Sequence, residues 1–310
     1  MSKTILFDLN NLAIRTLFTG GVGASSDNPD YQVWKYLIMN SIYWAIKKFK
    51  NVDEVVLAVD SKKSWRKLYF PRYKESRKYS KEDKVDWETV FEIFHEFHED
   101  IKNHLPFKVL KVRSSEADDI IGVLTNNIKD KEIIIYSRDS DYLQCCGKNS
   151  KVYDPHNKKF MTCDDTERFI TKKALMGQGK DDIFNAKTPL DYPKELRRPP
   201  LGEKKANQIV EGDLDSFLDQ DITYNKEYTD ENGEVHTYES SCNIRERFEY
   251  NKRLIDFRLI PDIIVERTLD AYYNYEKPHP DNMYQFFKNN QFTGFLEDFE
   301  FIEDQFMRLY

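Results

Sequence analysis

Apolar and polar positions follow two rhythms along the first half of the chain. Short apolar runs at residues 4–9, 54–59, 107–112 and 132–136 predict buried strands, each too short for a helix and bounded by polar residues. Between them the spacing becomes helical. Apolar residues stand at 33, 34, 37, 38, 42, 45, 46 and 49; residues 87–105 carry a Phe-rich stripe; and residues 117–128 form a third helical pattern that opens on acids. Strands alternating with helices predict an α/β core with a mostly parallel central sheet flanked by helices.

After about residue 165 the strand rhythm fades. Residues 166–176 predict a helix with Asp164 or Asp165 as its N-cap, and 203–210 predict another. Pro189, Pro193, Pro199 and Pro200 make 185–200 a loop, and the helical pattern over 245–274 is interrupted at Pro261. The stretch 211–240, with Asn232-Gly233, reads as a mobile loop or a small hairpin. The expected division is an α/β core at 1–165 and a smaller, mainly helical domain at 166–310.

Composition narrows the class. The 310 residues carry 19 Tyr and 21 Phe, enough for packed cores in about two domains. No apolar run approaches the ~18 residues of a membrane span, and an early charge, Asp8, argues against a signal peptide. Four cysteines, two of them adjacent, make no disulfide framework and predict a reducing cytoplasm. The adjacent pair, Cys145-Cys146, is read as packing, and no Gly-x-x-x-x-Gly-Lys phosphate loop supports ATP hydrolysis.

A net charge of −7 argues against a nucleic-acid partner until the charges are sorted by position. Residues 61–81 hold nine basic residues and one acid, whereas 211–240 hold ten acids and one Lys. Residues 172–205 hold nine basic residues and five acids. A ligand meets such a block within about one Debye length, ~8 Å at physiological salt, and does not sense the total. Trp65, Tyr69, Phe70, Tyr73 and Tyr79 are interleaved with the first basic block and offer rings on which bases stack. Self-repulsion in that segment predicts mobility over 61–85 without nucleic acid.

The acids carry the chemistry. Asp8 ends the first predicted strand, Asp60 follows the second, Glu116, Asp118 and Asp119 open the helix after the third, and Asp139 and Asp141 follow the fourth. Ligands of open parallel sheets bind beyond the carboxyl ends of the strands, so these side chains converge. A single Asp after a strand reads equally well as a cap or turn residue; four such features in register do not. Converging carboxylates repel one another unless a hard cation joins them. Two Mg²⁺ ions, for which Mn²⁺ substitutes, suit phosphodiester hydrolysis. By contrast, His95 and His98, with Glu92 and Glu99, are read as a solvated helix face.

The segments ILFDLNNLAIR, VVLAVDSKKSWR, FPRYKESRK, SSEADDIIGVL, IIIYSRDSDYLQ, GQGKDDIF and PPLGEKKANQIVEG, in this order, resemble the 5′ nucleases. That family includes flap endonucleases, 5′ exonuclease domains of bacterial DNA polymerase I and the phage ribonucleases H that are 5′ nucleases. The resemblance covers nearly the whole chain. It implies a PIN-like core with a helix–three-turn–helix in the C-terminal domain near 166–212. It further implies that Asp8, Asp60, Glu116, Asp118 and Asp139 hold one metal. Asp119 matches a further acid of the motif, and Asp141 and Asp181 match acids of the second metal site. Lys74 and Arg77 match residues that contact the scissile phosphate. Arg66, Lys67, Arg72, Lys74, Arg77 and Lys78 in the arch are candidate DNA contacts, as are Gly202, Lys204 and Lys205, with K⁺ as a candidate ion at the helix–three-turn–helix.

The implied activity is 5′→3′ exonuclease and flap endonuclease cleavage. It would remove RNA primers and adjoining DNA from lagging strands and act as a monomer on duplex DNA or RNA–DNA hybrid with a free 5′ end or flap. Two departures stand out. Gln178 replaces a family Asp, and the usual Gly-Ile-Gly turn is missing beside the Pro-rich insertion. The first keeps open a flap-binding protein with weak or no cleavage. A small PIN-type nuclease acting only on RNA is a lesser alternative, against which the length and the helical half argue. Residues 294–310 mix aromatics with acids and are expected to pack on the helical domain. The other reading is a docking site for a single-stranded-DNA-binding protein or sliding clamp.

Overall fold

A computed structural model describes residues 2–19, 30–78 and 85–310. Residues 79–84 of the basic segment therefore lie outside the described residues, and with them part of the expectation of mobility over 61–85. The chain forms two compact units that interleave along the sequence. The first comprises residues 1–65, 81–162 and 260–310, and the second 66–80 and 163–259. This division differs from the expected break at 165, because both the basic segment and the C-terminus cross it.

The first unit is built on a six-stranded sheet in the order β3-β2-β1-β4-β5-β6. The strands are β1 (Lys3–Asp8), β2 (Val52–Val59), β3 (Lys108–Lys111), β4 (Glu132–Tyr136), β5 (Ser150–Asp154) and β6 (Lys159–Met161). All pair in parallel except β6, which runs antiparallel to β5. Ile5, Leu6, Phe7, Val55, Val56 and Leu57 are all fully buried, so β1 and β2 are covered on both faces, as their continuous apolar runs require. From β1 the chain builds outward through β2 to β3, then returns to β4 on the other side of β1. This reversal opens a crevice at the carboxyl ends of β1 and β4. The helices Leu9–Leu17, Tyr31–Lys48, Trp87–His104 and Ala117–Asn127 connect the strands.

The C-terminal segment belongs to this core, which corrects the expectation that it packs on the helical domain. Phe286, Phe287, Phe295, Ile302, Phe306 and Leu309 are buried in one apolar cluster with Phe97 and Phe107. Burying a large apolar side chain contributes about 1.5–3 kcal/mol, so this row of aromatics fixes the segment to the sheet's core. The helix Asp262–Tyr273 is tied to the sheet by a polar contact. Glu54, 5 % exposed, accepts from Tyr272 Oη at 2.5 Å and Thr4 Oγ1 at 3.0 Å and pairs with Lys108 Nζ at 2.9 Å. Burial alone raises the Glu54 pKa, but these donors outweigh it and hold the carboxyl below its ordinary range.

The second unit is helical around Thr166–Met176, Glu203–Glu211 and Ile244–Ile255, with one long ribbon. Asn251 is fully buried and donates to the carbonyls of Ala174 and Phe184, both at 2.8 Å, locking the last helix to the first. The acidic stretch forms the hairpin β7 (Asp221–Thr229) and β8 (Val235–Asn243). Its turn is shaped by Asp230, which accepts from the backbone N–H groups of Asn232 and Glu234, and by Gly233 at φ 84°. Tyr224 and Tyr238 of the ribbon pack on Tyr192 of the Pro-rich insertion. Tyr238 Oη donates to Asp191 and Tyr224 Oη to the Lys187 carbonyl, so insertion and ribbon stabilise each other.

Candidate active site

The first unit gathers the predicted acids. Asp8 closes β1 and caps the following helix, accepting from Asn11 N at 2.8 Å. Asp60 follows β2; its N–H donates to Asn10 Oδ1 and its Oδ1 accepts from Ala117 N at 2.7 Å. That bond joins the end of β2 to the first turn of the helix Ala117–Asn127. Asp139 caps the turn after β4, accepting from Asp141 N at 2.9 Å. The hydrogen bonds that each acid would make as an ordinary turn residue are therefore present, and they leave Asp60 and Asp139 near enough to Asp8 to act on its charge.

Tyr142 holds the centre of the group, and no sequence signal singled it out. Fully buried, its hydroxyl lies 3.1 Å from Asp8 Oδ2 and 2.5 Å from Asp118 Oδ1. One hydroxyl proton serves both acids, so the tyrosine bridges residues 110 positions apart in sequence. Burial, then Asp118 and Asp8, raise the Tyr142 pKa well above its ordinary value, so the phenol stays protonated.

Crowding leaves a charge signature. Burial, reinforced by Asp60 and Asp139, pushes the Asp8 carboxyl up to about 7 despite the hydrogen bonds from Asn11 and Tyr142. Asp8 thus shares Tyr142 with Asp118 and feels the like charges of Asp60 and Asp139. The oxygen donors of these acids fit a hard divalent cation, which relieves the repulsion that now favours a proton on Asp8.

The remaining acids differ. Asp119, fully buried, accepts from Glu116 N at 2.8 Å and from Trp65 Nε1 at 3.2 Å. It closes a capping box with Glu116 and braces the turn that presents Glu116 and Asp118. Asp141 and Glu116 are 7 % and 8 % exposed. Asp181 lies in the second unit, where Arg77 Nη2 contacts its Oδ1 at 2.6 Å.

Within the second unit, residues 73–77 are clasped by the loop 177–183. Lys74 N donates to the Asp181 carbonyl at 3.0 Å and Ser76 N to Asp182 Oδ2 at 2.7 Å, and Arg77 Nε reaches the Lys180 carbonyl at 3.3 Å. Gly177 stands at φ 70°, and a Cβ there would strike the backbone of Ile183 and Phe184, which explains the glycine. The Gln178 backbone pairs with Ile183 across this loop, so the amide at the family's acidic position leaves the fold intact.

Two predicted DNA contacts are corrected. Arg66 is 3 % exposed and donates from Nε to the Leu254 carbonyl at 2.7 Å, so it anchors the basic segment from inside. Arg72 is held by the carbonyls of Leu190 and Tyr192 and lies over the Phe184 ring. Both guanidinium groups pin loops that sequence spacing could not bring together. Lys67, Lys204 and Lys205 are exposed, and Arg77 keeps a half-exposed side chain. The side chain of Lys78 lies outside the described residues. Gly202 caps the helix Glu203–Glu211, presenting first-turn N–H groups beside Lys204 and Lys205.

The histidines also differ from expectation. His98 is 1 % exposed, so the pair is no solvated face, and burial, then Lys111, His95 and Lys102, push its imidazole down to about 3. Cys145 is buried and, like Cys146, unbridged, in line with the packing role.

Residues 3–174 match the family model described as 5′-3′ exonuclease, N-terminal resolvase-like domain. Ribonuclease H of Enterobacteria phage T4 is 29 % identical over 295 residues, spanning 91 % of this chain and 90 % of that protein. A 5′-3′ exonuclease of Buchnera aphidicola is 27 % identical over 192 residues, 58 % of this chain and 63 % of that protein. Among solved structures, the bacteriophage T5 flap endonuclease, in a pseudo-enzyme–product complex with DNA and metal ions, superposes with a TM-score of 0.55 at 19 % identity. That match covers 93 % of this chain and 98 % of the other, and at such identity it bears on the fold. A T5 5′-exonuclease with bound zinc gives a TM-score of 0.58 at 18 % identity, covering 88 % of this chain and 100 % of the other. Since the family model spans more than half of the chain, and includes every strand of its sheet, the chain belongs to the 5′-3′ exonuclease family and is a 5′ nuclease.

Proposed function

We propose that the protein is a Mg²⁺-dependent 5′→3′ exonuclease and flap endonuclease that removes RNA primers and adjoining DNA during lagging-strand replication. The observation that carries this reading is the bridge from Asp8 through Tyr142 to Asp118, with Asp60 and Asp139 close enough to perturb Asp8. When bound, a pair of Mg²⁺ ions, or Mn²⁺ in their place, supplies Lewis-acid activation of water and of the leaving oxygen. Asp8, Asp60, Glu116, Asp118, Asp139 and Asp141 hold the ions, and Asp119 braces the turn that carries two of them. Tyr142 keeps Asp8 and Asp118 in mutual register.

Lys74 and Arg77 bind the phosphate to be cleaved and offset charge that develops on it. The Arg77–Asp181 ion pair, half-exposed on the arginine side, holds the guanidinium until phosphate competes for it. Lys67, Lys204 and Lys205 and the N–H groups after Gly202 contact backbone phosphates without reading bases, with K⁺ at the helix–three-turn–helix. Support comes from the similarity to the phage T4 ribonuclease H along both chains.

The test is a 5′-labelled RNA–DNA flap and its all-DNA counterpart, incubated with Mg²⁺, Mn²⁺ or EDTA, with product sizes resolved. Short labelled 5′ products from both substrates, absent in EDTA, are expected. Tight flap binding with no product in either metal would replace this reading with that of a binding protein.

A further inference from the structure

The helix Trp87–His104 places His95, His98 and Glu99 at positions i, i+3 and i+4, on one face. One ligand atom from each lies within 4.8 Å of the others. His95 Nδ1 and His98 Nε2 are 3.2 Å apart. Two imidazole nitrogens on one tetrahedral Zn²⁺, each bonded at about 2.0–2.1 Å, stand ~3.3 Å apart, so the pair already has the spacing of a tetrahedron edge.

The other side of His98 gives a second, independent sign. His98 is 1 % exposed, yet its Nδ1 is buried with no hydrogen-bond partner. Glu99 Oε1 stands 3.5 Å from it, too far for a good bond. A proton shared between the two rings explains the 3.2 Å contact and leaves Nδ1 orphaned. A cation on Nε2 explains both, because it fixes the Nδ1–H tautomer and directs that proton to Glu99, the usual outer partner of a metal-bound histidine.

Access and selectivity follow from the surroundings. His95 is exposed, which leaves the imidazole pair open to solvent on that side, and Glu99 lines a cavity of about 450 Å³ with Lys102, Lys111 and Tyr275. Lys102 and Lys111 lie close enough to His98 to act on it electrostatically. They disfavour a hard cation held by charge alone, so only a metal with affinity for imidazole is retained.

We propose that His95 Nδ1 and His98 Nε2 bind a Zn²⁺-class transition-metal ion, with Glu99 orienting His98, at a site separate from the carboxylate centre. The test is calorimetric titration of the full chain with Zn²⁺ in a large excess of Mg²⁺, which occupies the carboxylates. It is paired with ¹⁵N imidazole spectra of the same samples. Wild type is expected to bind one Zn²⁺ with shifts at His95 and His98. The exposed-site variant His95→Ala is expected to lose that binding while its unfolding temperature without zinc is unchanged. Glu99→Gln is expected to weaken it about 10–100-fold. Equal Zn²⁺ affinity in wild type and His95→Ala, no Zn²⁺ bound by wild type, or shifts confined to other histidines would each overturn the proposal.

Discussion

Replacing Asp8 with asparagine should stabilise the metal-free protein while removing its response to Mg²⁺. The ionised carboxylate of Asp8 is disfavoured by burial and by Asp60 and Asp139, which moves its pKa from 3.8 to about 7. At ~1.4 kcal/mol per pH unit, keeping it charged above pH 7 costs the native state at most about 4 kcal/mol relative to the unfolded chain. Asparagine retains an oxygen to cap the helix through Asn11 N, and its amide can donate to the Tyr142 hydroxyl while that hydroxyl donates to Asp118.

Allowing for imperfect geometry, Asp8→Asn should gain about 1–3 kcal/mol at pH 8 in EDTA. The sign with pH follows from the raised native pKa. As pH falls from 7 toward 3.8 the wild-type carboxyl takes up a proton in the native state first, so its penalty shrinks and the two proteins converge. Urea unfolding at pH 8 and pH 5, each with EDTA and with Mg²⁺, reads all of this. Mg²⁺ should raise the wild-type midpoint at pH 8 and leave the variant's unchanged. A variant less stable than wild type at pH 8 in EDTA, or equally stabilised by Mg²⁺, would refute the crowded-carboxylate reasoning.

Other perturbations separate structural from functional roles. Tyr142→Phe removes the hydroxyl shared by Asp8 and Asp118 and should raise the Mg²⁺ concentration for half-maximal cleavage about 10–100-fold, with KM for a flap little changed; an unchanged metal requirement argues against its bridging role. Glu54→Gln leaves Lys108 and Lys131 beside a neutral amide and should cost about 2–4 kcal/mol in urea unfolding near pH 7. Because the native Glu54 pKa is depressed, that advantage holds above the ordinary 4.5 and fades as pH drops through the native value, so a gap independent of pH contradicts it. Lys204→Ala with Lys205→Ala should weaken duplex binding at every sequence tested and reduce the slope of log K against log salt by about 1–2.

The sheet was legible because its strands are buried on both faces, so Ile5, Leu6 and Phe7 read as an unbroken apolar run. The acids were legible because a parallel sheet brings strand ends together: Asp8 ends β1, Asp60 follows β2 directly and Asp139 comes shortly after β4. Contacts made across long separations were not legible. Nothing local predicts that Tyr142 reaches Asp8, or that Arg66 turns inward to Leu254. The short strands β5 and β6 lack a long apolar run, and the ribbon β7–β8 is acidic outside and held at Tyr192 by residues of the insertion. Nor does helical spacing show which side of a helix is covered: His98 looked solvated beside Glu99, and the C-terminal aromatics could be assigned to either unit by sequence alone.

The central claim is that converging carboxylates in the first unit make the metal centre of a 5′ nuclease. Its most direct test is Asp139→Asn combined with Asp141→Asn, measured against a 5′-labelled flap duplex for cleavage in Mg²⁺ and for binding in Ca²⁺. Binding close to wild type with cleavage reduced by at least a thousandfold, about 4 kcal/mol of barrier, is the predicted result. Cleavage retained at the wild-type rate by this variant would contradict the account.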